Sequence, residues 1–297
     1  MPIHLTKPGF LIDFGLTLRR YMAFGEDAAN LFDGQVFHKA FHAEGGVYLL
    51  RLSELNSGIG MEIFPATGSP AVGAEAMRIA RQILGLDAPL DDFYAFACEH
   101  KVLAPLAQKY RGARPTLSAT PFEMLVTSIT AQQINLQFAF AVRSRMVRRY
   151  GESLQVADQF YHAFPQPETL AKATVAELRE LQFSTRKAEY IITLSQAIVG
   201  GGLQLSALND LPDAEIANEL KHLRGIGQWT VDWYLGRYLG RGNAIAAGDL
   251  GVRKAIEHYF FDGQKQNEEA IRALAAQWGD FANLAVHYLL MDFYLPQ

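Results

Sequence analysis

Two periodicities divide this chain. Up to about residue 70 the apolar positions fall in short runs: 35–41 alternates, and 46–52 and 60–64 are brief β-branched or aromatic stretches bounded by Gly, Asn, Ser and Pro. A period of two between turn residues predicts half-buried strands. Residues 71–85 then place Val72, Met77, Ile79, Ala80, Ile83 and Leu84 at helical spacing. From Asp91 onward the pattern is almost wholly helical. Helices are predicted at 91–97, 101–110, 121–135, 137–150, 153–159, 167–172, 174–181, 184–199, 213–221, 228–239, 249–260, 266–276 and 279–293. Thr120-Pro121, Ser184 and Pro212-Asp213 supply start signals, because short polar side chains cap free amides and proline fits a first helical position. The fold class is α+β: an N-terminal antiparallel sheet with helices over 1–87, then an all-α region over 88–297.

Composition adds bounds rather than chemistry. The 297 residues suffice for two or three modest cores. No apolar run approaches a membrane span, and the start of the chain lacks the features of a secretory signal. The single cysteine, Cys98, fits a reducing compartment and is expected to be a small buried residue on a helix. A cytoplasmic protein is the expectation. Net charge is −4, with 10 basic and 12 acidic side chains in 1–112 and 17 and 19 in 113–297. Global charge does not announce a nucleic-acid partner, so any such contact must come from backbone amides and a few arginines.

The chemistry concentrates between Leu220 and Arg253. Leu223-Arg224-Gly225-Ile226-Gly227 joins two amphipathic helices. Two glycines around one apolar residue permit positive φ and close backbone approach, and Ile226 would plug the core between the helices. The amides of Gly227 and Gln228 open a helix at its positive dipole end, which suits a phosphate; a plain helix–helix turn has the same glycines. The carbonyls of Leu223 and Ile226 could ligate a monovalent cation. Trp229 and Trp233 lie one turn apart on one face, either as core or as the wall of a pocket that stacks an extruded base. Asp232 reads most simply as a solvated or capping charge. Asp249 ends a small-residue loop at a predicted helix start. It is either an N-cap or a fixed carboxylate able to stabilise a sugar cation as a glycosidic bond breaks. The arginines 143, 145, 148 and 149 form either a solvated helix face or a DNA contact.

Taken together, the hairpin, the aromatic two residues after it and Asp249 twenty residues further resemble the helix-hairpin-helix-GPD superfamily of DNA glycosylases. Residues 121–135 look like the opening helix and Gln-rich turn of that family, and 185–191 is a third match. Within it the alkylation-repair branch, the 3-methyladenine DNA glycosylase II type, fits best. The segment 1–86 is similar to that branch's N-terminal domain, and Gly34-Gln35-Val36-Phe37 looks like a phrase shared with the 8-oxoguanine branch. The resemblance implies two helical lobes, about 113–222 and 88–112 plus 223–297. It implies Asp249 as the catalytic carboxylate and Trp229, Trp233 and Phe281, on the C-terminal helix, as the base pocket. Gln133 would be the wedge in the gap left by a flipped base, and Gly225, Ile226, Gly227 and Gln228 the phosphate grip. The implied partner is double-stranded DNA containing damaged bases, bound by a monomer with no required cofactor. Bifunctional relatives place a lysine nucleophile where this chain has Trp229, so a Schiff base is not expected. The implied reaction is removal of alkylated purines without strand cleavage. Rival expectations are an oxidised-purine glycosylase and a non-catalytic damage-binding protein.

Overall fold

The computed structural model describes residues 3–7, 9–56 and 58–294. The first unit contains β1 (Ile3–His4), α1 (Phe14–Leu18), α2 (Arg20–Ala23), β2 (Leu31–Phe32), β3 (Val36–Ala43), β4 (Gly46–Leu55), β5 (Gly58–Phe64) and α3 (Pro70–Ile83). The strands form one antiparallel sheet in the order β1-β5-β4-β3-β2. Its alternation sends Phe37, Phe41, Leu50 and Leu52 into a core with Val72, Ala76, Ile79 and Ile83 of α3. Ser69 caps α3 by accepting the Val72 amide, and Pro70 occupies the first turn.

The helical region follows as α4 (Leu90–Ala97), α5 (Leu103–Lys109), α6 (Pro121–Ala131) and α7 (Leu136–Tyr150), then α8 (Pro167–Leu170), α9 (Val175–Glu180) and α10 (Thr185–Val199). It ends with α11 (Asp213–Lys221), α12 (Gln228–Arg237), α13 (Leu250–Phe260), α14 (Glu268–Ala276) and α15 (Ala282–Tyr294). Two cores result. One gathers α6 to α12 and includes Leu125, Ile129, Ile191, Ile226, Val231 and Tyr234. The other gathers α4, α5 and α13 to α15 and includes Phe93, Val252, Ile256, Tyr288 and Leu289. The change between them falls after Tyr238, not at residue 222, because Val231, Tyr234 and Leu235 of α12 are buried with the first set. Among the described residues no helix is long and apolar enough to cross a membrane.

Other expectations need correcting. Residues 153–159 are not helical: β6 (Ser153–Val156) and β7 (Gln159–His162) form an antiparallel hairpin. Leu154 and Val156 alternate with exposed Ser153 and Gln155, and Ala157 turns the chain at φ 53°. The hairpin packs Tyr161 on Ala40 and Leu49, covering the sheet face opposite α3. A tertiary surface thus selects strand pairing where local composition permitted a helix. Cys98 is exposed at the end of α4, its thiol donating to the Ala95 carbonyl at 2.9 Å, so it is no core residue. The Gln-rich segment leaves the helix at Ala131 instead of continuing to 135.

An ionic network fastens the sheet unit to the helical region. Lys39 lies between Phe37 and Phe41 on the core-facing side of β3 and pairs with Glu123 of α6 at 2.9 Å, with 3% and 4% of the two side chains exposed. Lys39 also donates to the Asn30 side chain at 3.0 Å, and Asn30 donates to Glu123 at 3.2 Å and to Asp27 at 3.0 Å. Arg143 of α7 closes the set through Asp27 and through Thr127 at 3.1 Å. Arg143 is thus buried in structure rather than offered to DNA. Arg148 pairs with Glu26 and Arg145 donates to Gln182 at 2.5 Å. Arginines 143, 145 and 148 thus each bind within the protein.

Removing one member leaves a buried charge unpaired, so Glu123→Ala is expected to lower unfolding free energy by about 3–5 kcal/mol in urea titration. The paired replacement Lys39→Met with Glu123→Met should recover more than half of that loss.

Candidate active site and nucleic-acid interface

The site is assembled on the turn between α11 and α12. Gly225 adopts φ +95°, a conformation costly for residues with a side chain. A Cβ there would lie 2.3 Å from the Tyr190 ring of α10, so the glycine is required twice over. Ile226 follows and is buried in the first core, and its amide donates to the Leu223 carbonyl at 3.1 Å. Gly227 is the N-cap of α12 with φ −110° and no side chain to cap the first turn. A Cβ on Gly227 would meet nothing within 4 Å. Gly227 and Gln228 are exposed, and no side chain caps the first amides of α12.

The Gln-rich turn is tied to this hairpin. Gln132 donates through Nε2 to the Gly225 carbonyl at 2.9 Å and toward the Thr230 hydroxyl at 3.4 Å. Lys187 Nζ donates to the Thr130 carbonyl at 2.8 Å, closing the end of α6, and burial lowers its pKa. Gln133 stands next to these anchors, exposed and held at φ +55°. A non-glycine residue at positive φ on a pinned, exposed turn carries local strain of the kind found at functional loops. Sequence reasoning named Gln133 but missed Gln132 and Lys187, whose partners lie far away along the chain.

Asp249 caps α13. Its Oδ1 accepts the Gly251 amide at 2.8 Å and the Val252 amide at 3.1 Å. Its Oδ2 accepts the indole N–H of Trp229 at 3.0 Å. The carboxylate and the aromatic that the sequence separates by twenty residues are thus in direct contact, and both are half-buried. Trp229 and Trp233 meet edge to face, with ring centroids 6.4 Å apart and planes at 75°. Trp233 packs against both cores, so this pair lies at the seam between the lobes. The Arg237 guanidinium lies 5.5 Å from the Trp233 ring centre and occupies part of that ring's electron-rich surface. Arg237 is buried and donates to Asn283 at 3.0 Å; burial pulls its pKa down to about 9.

Two further residues differ from expectation. Phe281 is not on the C-terminal helix but in the 3-10 turn before it, with its ring 4.9 Å from Phe96 and 6.2 Å from Phe93. Asp232 is not solvated: it is 4% exposed, accepts from Gln228 at 2.7 Å and pairs with Arg272 of α14 at 2.6 Å. This pair joins α12 to the second lobe and fixes Gln228 at the hairpin. Arg272 is 40 residues from Asp232, and no local pattern could have named it.

Residues 126–280 match the model of the HhH-GPD superfamily of base excision DNA repair proteins, more than half of the chain. The chain belongs to that superfamily. Its relatives include the Bacillus subtilis protein YfjP, 35% identical over 187 residues, which cover 63% of this chain and 64% of YfjP. This chain thus matches less than two thirds of that relative's length. A Bacillus subtilis DNA-3-methyladenine glycosylase is 28% identical over 215 residues, covering 72% of this chain and 71% of that one. The solved structure of a 3-methyladenine DNA-glycosylase from Archaeoglobus fulgidus superimposes with a TM-score of 0.87 at 25% identity, covering 98% of each chain. The sheet unit, the two lobes and the hairpin therefore form one shared architecture.

The two glycines should separate in stability measurements. Gly225→Ala meets both the positive φ and the Tyr190 ring, and is expected to cost more than about 1 kcal/mol. Gly227→Ala should stay within about 0.5 kcal/mol of the unaltered protein in the same urea titration.

Proposed function

We propose that the protein is a monofunctional DNA glycosylase. It flips alkylated purines of the 3-methyladenine and 7-methylguanine type out of duplex DNA and hydrolyses the N-glycosidic bond, leaving an abasic site. The observation that carries this reading is the Asp249 carboxylate, fixed by three N–H donors, one of them the first of two packed indoles on the hairpin helix. The names of the Bacillus subtilis glycosylase and the Archaeoglobus fulgidus structure support it.

The hairpin amides from Gly227 and Gln228, with Gly225 and Ile226 shaping the turn, would hold a backbone phosphate. Gln133 would enter the gap left by the flipped nucleotide, supported from behind by Gln132. Trp229, Trp233 and Phe281 would line the base pocket. An alkylated purine already carries positive charge, so it takes the bonding electron pair and leaves neutral without an acid. The oxygen of water adds to C1′, and its proton passes to solvent. Asp249 would stabilise the sugar cation between these events. At about 4 Å and an effective dielectric near 20, that attraction is on the order of 4 kcal/mol, or about three decades in rate.

Trp229 also argues against strand cleavage, because an indole nitrogen cannot form a Schiff base with the sugar. For the same reason it counts against an oxidised-purine lyase. A monovalent cation on the Leu223 and Ile226 carbonyls would strengthen the phosphate grip. The Leu223 carbonyl accepts the Ile226 amide and keeps a second lone pair for such an ion. One chain supplies hairpin, indoles and carboxylate, so this reading needs no second subunit.

Wild type should release free base from a duplex containing 7-methylguanine, and Asp249→Asn should release it about three decades more slowly while still binding the duplex. Binding by both without release by either leaves only the damage-binding reading. Borohydride should trap no protein–DNA adduct. Gly227→Ala should weaken duplex affinity measured by fluorescence anisotropy.

A further inference from the structure

Trp229 has a role at Asp249 that a pocket wall would not need. We infer that Trp229 is a positioning residue: its indole N–H fixes Oδ2 of Asp249 and leaves the remaining lone pair of that oxygen for the reacting sugar. This assignment rests on the base-excision reading of the site.

A carboxylate offers about four lone-pair directions. Oδ1 uses two on the Gly251 and Val252 amides, at 2.8 and 3.1 Å. Oδ2 uses one on Trp229 Nε1, at 3.0 Å. Both backbone donors pull on the same oxygen and belong to α13, so they anchor Oδ1 and constrain Oδ2 less. The indole donor comes from α12, and with it the carboxylate is held from two helices. Trp229 is itself braced, its ring packed edge to face with Trp233 at 75°. The α12 helix is fixed in turn to α14 by Asp232 and Arg272 at 2.6 Å. The chain of contacts runs from Arg272 through α12 to Oδ2, which accepts from Trp229 alone among the described residues.

Such an arrangement acts by preorganisation. An oriented carboxylate needs no rearrangement as positive charge develops on the sugar, whereas a mobile one must be ordered during the reaction. A wall residue would contribute only ring area, which phenylalanine also provides. The hydrogen bond gives a reason for an indole at this position.

The test separates ring from donor. Trp229→Phe keeps an aromatic face and loses the N–H. Single-turnover release of 7-methylguanine should fall roughly ten- to hundredfold, the range of one charge-assisted hydrogen bond. Affinity for a duplex carrying a tetrahydrofuran abasic analogue should stay within about twofold. Trp229→His, which returns a ring N–H, should recover part of the rate. Release by Trp229→Phe at the wild-type rate overturns the assignment, as does a parallel loss of rate and analogue affinity.

A second measurement does not depend on turnover. The three tryptophans give three indole N–H resonances in 15N-labelled protein. Asp249→Asn keeps a good helix cap but offers a weaker, uncharged acceptor. The resonance absent from Trp229→Phe should move upfield in Asp249→Asn while the other two stay. If it does not move, the hydrogen bond is not formed in solution and the assignment fails. Absence of base release by wild type is a different result: it overturns the glycosylase reading itself, with the indole resonance still reporting the bond.

Discussion

The contact of Tyr190 with Gly225 is the constraint on which the rest of the site depends. The ring occupies the space that any Cβ at 225 would fill, and the backbone there has positive φ. Only with both conditions met does the chain turn tightly enough to bury Ile226 between helices. That turn sets the direction of α12, and α12 carries Trp229 to within hydrogen-bonding distance of Asp249. It also leaves the first amides of α12 without a side-chain cap. The first turn of α12 thus carries both the hairpin amides and the indole that meets Asp249 at the head of α13, and one contact with glycine sets its place.

Charge is distributed in a way that the net value of −4 hides. Several basic side chains that could have formed a nucleic-acid surface are instead spent within the protein. Arg143 pairs with Asp27, Arg148 with Glu26 and Arg272 with Asp232. Of these only the Arg143–Asp27 pair is buried on both sides; such a pair does little for net stability, since desolvation offsets attraction, yet is costly to break singly, whereas the exposed Arg148–Glu26 pair contributes little either way. Their effect here is geometric: they fix the sheet unit to α6 and α7, and α12 to α14. On the proposed reading, recognition falls to backbone amides, which carry partial charge without side-chain entropy.

The seam between the two cores is where the sequence reading and the fold differ most usefully. Alternate positions of α12 serve different neighbours: Val231, Tyr234 and Leu235 join one core, Trp233 touches both, and Asp232 reaches α14. An Arg237 guanidinium over Trp233 takes up part of the ring's negative surface. That leaves less of this indole's quadrupole for a cationic base than a free ring would offer. The aromatic stack of Phe281 on Phe96 and Phe93 lines the second lobe instead.

By itself the sequence determined the α+β class and nearly every helix of the second region, because those follow from local periodicity and from caps such as Thr120 and Ser184. It also determined the hairpin, since Gly-Ile-Gly between amphipathic helices has few other solutions. Tertiary structure decided what those residues touch. Residues 153–162 became a β-hairpin because the outer sheet face required cover. Asp232 and Arg143 became buried because partners 40 and 116 positions distant came to meet them. The bond from Trp229 to Asp249 belongs to the same class. Twenty residues of chain can bring two groups close in many ways, and only the packing of α12 against its neighbours selects the one in which the indole N–H meets the carboxylate.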